Sequence, residues 1–133
     1  ALDSAAVRLA CTRLSEDAFS RLNRCIEQIE VAPDLLQLTK LDIEFHEEIV
    51  RAADNSRLLA AWQLLRPQLL FWLASMHRIH ASVVSGTQSE TAQSHRELLN
   101  ALQSGNPDRC EQFARRHANG LRQLFDSANQ EAK

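Results

Sequence analysis

The segment Leu41–Ala53, with the sequence LDIEFHEEIVRAA, constrains the fold of this chain more than any other stretch. Apolar residues recur there every three or four positions, which is the spacing of a helix that buries one face. The apolar stripe consists of Leu38, Leu41, Phe45, Ile49 and Ala52 or Ala53. Asp42 and His46 lie on or beside this stripe, four residues apart, so both project from the same side of the helix.

A carboxylate on a core-facing position needs a charged partner. Removing an ionised carboxylate from water costs several kcal/mol unless a cation compensates for the lost hydration. We therefore expect either a cationic side chain or a metal ion beside Asp42. Which of these two partners is present decides the function that the sequence supports.

The composition indicates an all-α fold. Three glycines, three prolines and no tyrosine among 133 residues leave little material for hairpin turns. Leucine and alanine, which favour helices, are abundant. A chain of this length is expected to be a single domain, residues 1–133, with one core. The patterns predict six helices with short connections, and hence an antiparallel bundle.

The predicted helices follow from capping residues and from glycine and proline positions. They cover residues 2–12, from 16 to just before Pro33, 35–53, 56–84, 89–104 and 107–128. The long fourth helix has apolar residues on more than one face. A single bundle core cannot easily cover all of them, so we expect a homodimer.

Charge and cysteine content narrow the class of protein. A net charge of -2 gives no electrostatic footprint for nucleic acid, so we expect no DNA or RNA binding by this chain alone. Cys11, Cys25 and Cys110 are scattered and form neither a disulfide framework nor a CxxC metal site. They suggest a reducing compartment, and we expect a cytoplasmic protein. No apolar run is long enough to span a membrane.

Two further histidines lie on apolar helix faces. His95 precedes Gly105 by ten residues and His117 follows it by twelve. At ~1.5 Å per residue, these positions are about 15 and 18 Å from the turn. Two antiparallel helices joined at Gly105 would hold both imidazoles at nearly the same level. Asp42 and His46 would supply the other half of the cluster from a different helix.

Three neutral imidazoles and one carboxylate form a ligand set suited to zinc, nickel or manganese, with room for a water or ligand oxygen. The alternative is a buried ion pair between Asp42 and His46 beside an unrelated polar cluster. Spacing alone leaves both interpretations open.

These residues carry a resemblance to a known family. FHEEIVRAADNSRLL resembles a core segment of the FCD domain, and SHRELLNALQSGNPDRCEQFARRH resembles its closing helical hairpin. The similarity covers essentially the whole chain. The FCD domain is the C-terminal effector-binding domain of FadR-type, GntR-family bacterial transcription regulators. The resemblance therefore implies a ligand-sensing and dimerisation domain rather than an enzyme.

The resemblance also implies a ligand set. In metal-binding members, four residues in this order and spacing chelate a divalent ion, and a small organic acid binds beside it. Matched one by one, the ligands are Asp42, His46, His95 and His117, with zinc as the expected ion and nickel or manganese as alternatives. Ser94 departs from the glutamate that many members have before this histidine. A metal-free domain for a larger acyl-type ligand, or a purely structural metal, is the alternative within the family.

The family's N-terminal winged helix–turn–helix is absent from this chain. DNA binding is therefore expected only through such an attached domain. No Glu-x-x-His pair and no His-Asp dipeptide of metal-dependent helical enzymes occurs in the sequence. A metal-dependent helical-bundle hydrolase is the competing interpretation from another functional class.

Arg66 is predicted to bind the ligand. The helices on either side of Asn55 are expected to be antiparallel, which places residues 64–68 at the level of Asp42 and His46. A guanidinium at that level can hold a carboxylate with two parallel hydrogen bonds. The alternatives are a surface position for Arg66 or a direct salt bridge with Asp42.

His77 and His80 are a second possible metal-binding pair, three residues apart. Two histidines without a nearby carboxylate are a weak signal for a metal site. His77 is instead expected at the helix surface.

Overall fold

The computed structural model describes residues 2–83 and 85–117 of the chain. Five helices run α1 Leu2–Cys11, α2 Glu16–Glu30, α3 Leu35–Ala52, α4 Ser56–Val83 and α5 Thr87–Gln103. A sixth helix, α6, begins at residue 107 and is described to residue 117. The described residues form no strand, so the predicted all-α bundle is confirmed. The predicted end of α6 near residue 128 and the end of α4 at Val84 lie outside the described residues.

Short polar side chains cap the N-termini of α2, α3 and α4. Ser15 accepts a hydrogen bond from the backbone N–H of Ala18, and Asp34 accepts one from Gln37. Asn55 Oδ1 accepts one from the backbone N–H of Leu58 at 3.1 Å. These bonds satisfy amide groups that a helix leaves unpaired in its first turn.

The start of α5 differs from the prediction by two residues. We expected the helix from residue 89, but it begins at Thr87, directly after Gly86. Gly86 has φ +92, in the left-handed region that favours glycine. The Thr87 side chain is buried and its Oγ1 lies 2.6 Å from His80 Nδ1. This tertiary contact orders the first turn of α5, and no sequence pattern identified it.

Helix α3 lies at the centre of the bundle and packs against α1, α2 and α4. The predicted apolar stripe is buried, and the Phe45 side chain is fully enclosed. Helix α5 packs against α2 and closes the other side of the core. Asp42 is buried within this core, with only 2% of its surface exposed. The fold therefore places an ionisable group where sequence periodicity predicted it.

Helix α4 is buried along one side and exposed along another. Trp62, Leu73 and Met76 belong to the core, whereas Leu64 and Phe71 are 81% and 74% exposed. The exposed apolar residues on this side are Leu64, Leu65, Phe71 and Trp72. In the described part of the chain, no helix is both long and apolar enough to cross a membrane.

The N-cap of the central helix gives a direct test of the local folding argument. Replacing Asp34 by alanine removes the acceptor that lies 2.8 Å from the backbone N–H of Gln37. We expect a loss of about 1 kcal/mol in the free energy of unfolding, measured by urea denaturation and far-UV circular dichroism. Asp34→Asn is the control because it keeps an oxygen acceptor. An equal loss in both variants would contradict the capping role.

Candidate metal centre

Asp42 on α3 is surrounded by imidazoles. Its Oδ1 lies 2.7 Å from Nε2 of His95 and 3.1 Å from Nε2 of His46. Its Oδ2 lies 2.9 Å from Nε2 of His77. Burial alone would raise the pKa of Asp42, but His95 and the imidazole hydrogen bonds lower it well below the ordinary value. The carboxylate therefore stays ionised inside the core.

Three helices bring three of the predicted ligands together. Ring nitrogens of His46, His95 and His117 all lie within 4.8 Å of one another. The ring centroids of His95 and His117 are 5.2 Å apart, which agrees with two helices that turn at Gly105 and hold both rings at one level. Asp42 joins this group through its contacts with His46 and His95. All four residues predicted from the sequence thus converge.

The His95 ring has one nitrogen whose role is fixed. His95 Nδ1 lies 2.7 Å from the backbone carbonyl oxygen of Thr91, and a carbonyl can only accept, so Nδ1 carries a proton. In a neutral imidazole with its proton on Nδ1, Nε2 carries a lone pair and can only accept a hydrogen bond. This Nε2 faces the Asp42 carboxylate, which can likewise only accept. Two acceptors at hydrogen-bond distance require a cation between them, either a proton on Nε2 or a metal ion.

The His117 side chain is partly buried and its ring is neutral. Its Nδ1 is hydrogen-bonded with the Ser94 hydroxyl, while its Nε2 has no hydrogen-bond partner among the described residues. Burial, followed by the nearby rings of His95 and His46, lowers the pKa of His117 to about 3. A ring that donates from Nδ1 to Ser94 presents Nε2 as a lone pair, which is the form that binds metals. This unpartnered nitrogen and the donor chemistry of the cluster fit a divalent cation.

His77 was expected at the helix surface, and that expectation is wrong. The residue is only 3% exposed, and its ring bridges Thr39 Oγ1 and Asp42 Oδ2. The error arose because α4 is apolar on several sides, so periodicity did not identify its inner face. The four-residue interval from Leu73, which is buried, was the signal for this position.

His80 belongs to a separate cluster. Its Nε2 lies 2.7 Å from Glu90 Oε2, and its Nδ1 contacts Thr87. His77 instead contacts Asp42. The two histidines therefore contact different carboxylates, Asp42 and Glu90.

Arg66 lies on the half-exposed side of α4. Its Nε is 3.5 Å from Glu47 Oε1. The partners of Asp42 are histidines rather than this arginine. Arg66 is also not among the residues that line the two cavities beside the histidine cluster. Its predicted contact with a ligand stays a prediction.

Two cavities adjoin the cluster from different sides. The larger, of about 470 Å³, is lined by both apolar and polar side chains, and the polar ones include His95, His117, Ser94 and Arg116. The smaller, of about 170 Å³, has apolar walls and is bordered by His46 and His117. A ligand in either cavity can reach the centre, and the larger one offers more hydrogen-bonding groups.

The cysteines stay outside this chemistry. Burial raises the pKa of Cys25 and of Cys110 to about 12, so both are neutral thiols near neutral pH. Cys25 Sγ donates to the backbone carbonyl of Leu41, and Cys110 Sγ lies 2.8 Å from Cys11 Sγ. The donors that face the centre are therefore nitrogen and oxygen.

Sequence comparisons place this architecture among known proteins. The FCD domain family matches residues 1–120. A curated relative, the "Probable D-xylose utilization operon transcriptional repressor" of Paenarthrobacter nicotinovorans, is 34% identical over 73 residues. That match covers 55% of this chain and 30% of the relative. The family match extends over most of the chain, including all four predicted ligands. The chain belongs to the FCD domain family, the effector-binding domains of transcription regulators.

Proposed function

We propose that this domain senses a small organic acid through a divalent metal ion held by Asp42, His46, His95 and His117. The observation that carries the proposal is the contact between His95 Nε2 and Asp42 Oδ1 at 2.7 Å. The Thr91 carbonyl fixes the proton of His95 on Nδ1, so a neutral ring needs a cation between Nε2 and the carboxylate. A divalent ion satisfies that requirement and also uses the unpartnered Nε2 of His117.

Zinc is the ion that this donor set fits best. Imidazole nitrogen and carboxylate oxygen are common zinc ligands, and nickel or manganese accept the same donors. The ion supplies a Lewis-acidic anchor for an oxygen donor of the effector. Four protein ligands leave one or two positions for it on an ion that accepts five or six partners.

Metal content tests this assignment. Protein purified without chelator is expected to carry about one zinc-like ion per chain by elemental analysis, because the four donors converge on one centre. His46→Ala and His117→Ala are each expected to lose the ion, since each removes one imidazole donor. His80→Ala is the matched control because His80 contacts Glu90 instead. Full occupancy in the double variant of His46 and His117 would rule out the proposed centre.

The effector is proposed to be a carboxylate bound beside the ion in the larger cavity. A carboxylate held only by the ion would be poorly distinguished from acetate, so a second anchor is needed. Arg66 was predicted for this role from its helix level, although its Nε lies near Glu47. Arg116 lines the cavity itself, and its guanidinium carbon lies 5.7 Å from the centre of the Phe113 ring.

Calorimetric titration with hydroxy- and dicarboxylic acids tests the effector class and the anchor. The related repressor is named for D-xylose utilisation, so the titrants also include the neutral sugar D-xylose and the aldonic acid derived from it. Loss of a charged hydrogen-bond pair from a sheltered pocket costs about 2–5 kcal/mol. If Arg66 anchors the effector, as its helix level predicts, Arg66→Ala weakens binding roughly thirty-fold or more, with metal content unchanged.

Arg66→Lys is expected to restore only part of that affinity, because lysine cannot offer two parallel donors. Arg116→Ala is the comparison: a large effect there with none at Arg66 would move the anchor to α6. Equal affinities in wild type, both arginine variants and metal-stripped protein would remove the ion and both arginines from recognition. The metal would then be structural.

Regulation is proposed to work through an attached winged-helix domain. Effector binding can shift that domain's arrangement only by the difference in effector affinity between two states of the protein. The candidate donors come from α3, α5 and α6, so an ion and its ligand would connect three helices. We propose that the domain forms a homodimer, which would position two DNA-binding domains.

The outer face of α4 is the proposed dimer interface. We expect a dimer in light scattering at micromolar concentration, because Leu64 and Phe71 are largely exposed in the single chain. Phe71→Glu is expected to give a monomer by placing a charge in the apolar interface. Leu36→Glu is the control, since Leu36 is 63% exposed on α3. A wild-type monomer, or equal effects of both substitutions, would argue against this interface.

A further inference from the structure

We infer that His77 is a positioning residue that holds Asp42 in the orientation needed for metal binding and so ties α4 to the centre. The inference rests on the proposed metal site but concerns a residue outside the four predicted ligands. His77 is buried, and its Nε2 lies 2.9 Å from Asp42 Oδ2. This is the second carboxylate oxygen, whereas the contacts of His46 and His95 described above are with Oδ1.

The surroundings of His77 fix the direction of this hydrogen bond. Its Nδ1 lies 2.7 Å from Thr39 Oγ1, and that oxygen also lies 2.7 Å from the backbone carbonyl of Leu35. If the hydroxyl donates to His77, the ring is the Nε2–H tautomer; if it donates to Leu35, both ring nitrogens carry protons. Nε2 then has a proton in either arrangement, because the ionised Asp42 opposite can only accept. His77 is therefore a donor to Oδ2 in both cases.

Metal binding would change the contacts of His46 and His95 with Asp42 but would leave the hydrogen bond from His77 in place. To bind an ion through Nε2, His46 and His95 must present lone pairs, so neither can continue to donate to Oδ1. His77 is not part of the group whose nitrogens lie within 4.8 Å of one another. Its bond to Oδ2 can persist and leaves Oδ1 free to face the ion. Hydrogen bonds of this kind orient carboxylate ligands and tune metal affinity.

The same contact connects the centre to the long helix. Helix α4 carries none of the four predicted ligands, yet it includes both His77 and the exposed apolar residues Leu64 and Phe71. Among the described hydrogen bonds, the one from His77 joins α4 directly to Asp42. Whether Asp42 binds an ion can therefore affect α4, the helix proposed for the dimer interface.

Zinc competition with a chromophoric chelator, and cobalt(II) absorption, test the inference in the full chain. His77→Leu removes the donor and is expected to weaken zinc binding 10–100-fold and to change the cobalt spectrum. His77→Gln is expected to recover most of the affinity, because the amide nitrogen of glutamine can replace Nε2. His80→Gln is the matched control, since His80 contacts Glu90 and Thr87.

Wild-type zinc affinity and a wild-type cobalt spectrum in His77→Leu would overturn the inference. Equally weak zinc binding by His77→Gln and His77→Leu would also overturn it, because glutamine keeps a hydrogen-bond donor and the loss of affinity would then have another cause. If His77→Leu does not fold, Thr39→Val decides: weaker binding supports the inference, and unchanged binding contradicts it. A wild-type protein that binds no ion would overturn the proposed function itself, whereas normal wild-type binding with indifferent His77 variants overturns only this inference.

Discussion

One buried carboxylate determines much of this structure. Asp42 lies on the core-facing side of the central helix, where an unpaired charge would cost several kcal/mol. The bundle compensates by surrounding it with imidazoles from α3, α4 and α5. Because histidine can carry either a proton or a metal ion at the same nitrogen, this solution also makes the core responsive to its chemical surroundings.

The proposed ion would bind at the same ring nitrogens that now face Asp42, Nε2 of His46 and Nε2 of His95. In the structure, hydrogen bonds link Asp42 to His95 and His77, and His46 forms a further close contact. An ion would replace the contacts of His46 and His95, engage His117, and leave the bond from His77. The change from hydrogen bonds to coordination therefore stays within a few side chains, while those side chains belong to four different helices.

Sequence patterns predicted the helices and the four converging residues because both depend on local periodicity and on matched distances from a turn. The level of His95 and His117 followed from counting residues on either side of Gly105. His77 was misplaced because a helix with apolar residues on several sides does not reveal its buried face. Counting residues predicts the level of Arg66 along α4 but not its rotation about the helix axis, and its Nε lies 3.5 Å from Glu47 Oε1. Contacts that depend on rotation and on tertiary partners were beyond the sequence.

X-ray absorption spectroscopy of the zinc-loaded domain identifies the atoms that bind the ion. We expect a first shell of nitrogen and oxygen donors at about 2.0–2.2 Å, with the outer-shell scattering typical of imidazoles. Sulfur is not expected, since burial keeps Cys25 and Cys110 as neutral thiols. A shell containing sulfur at about 2.3 Å, or one without imidazole scattering, would contradict a centre built from Asp42 and the histidines around it.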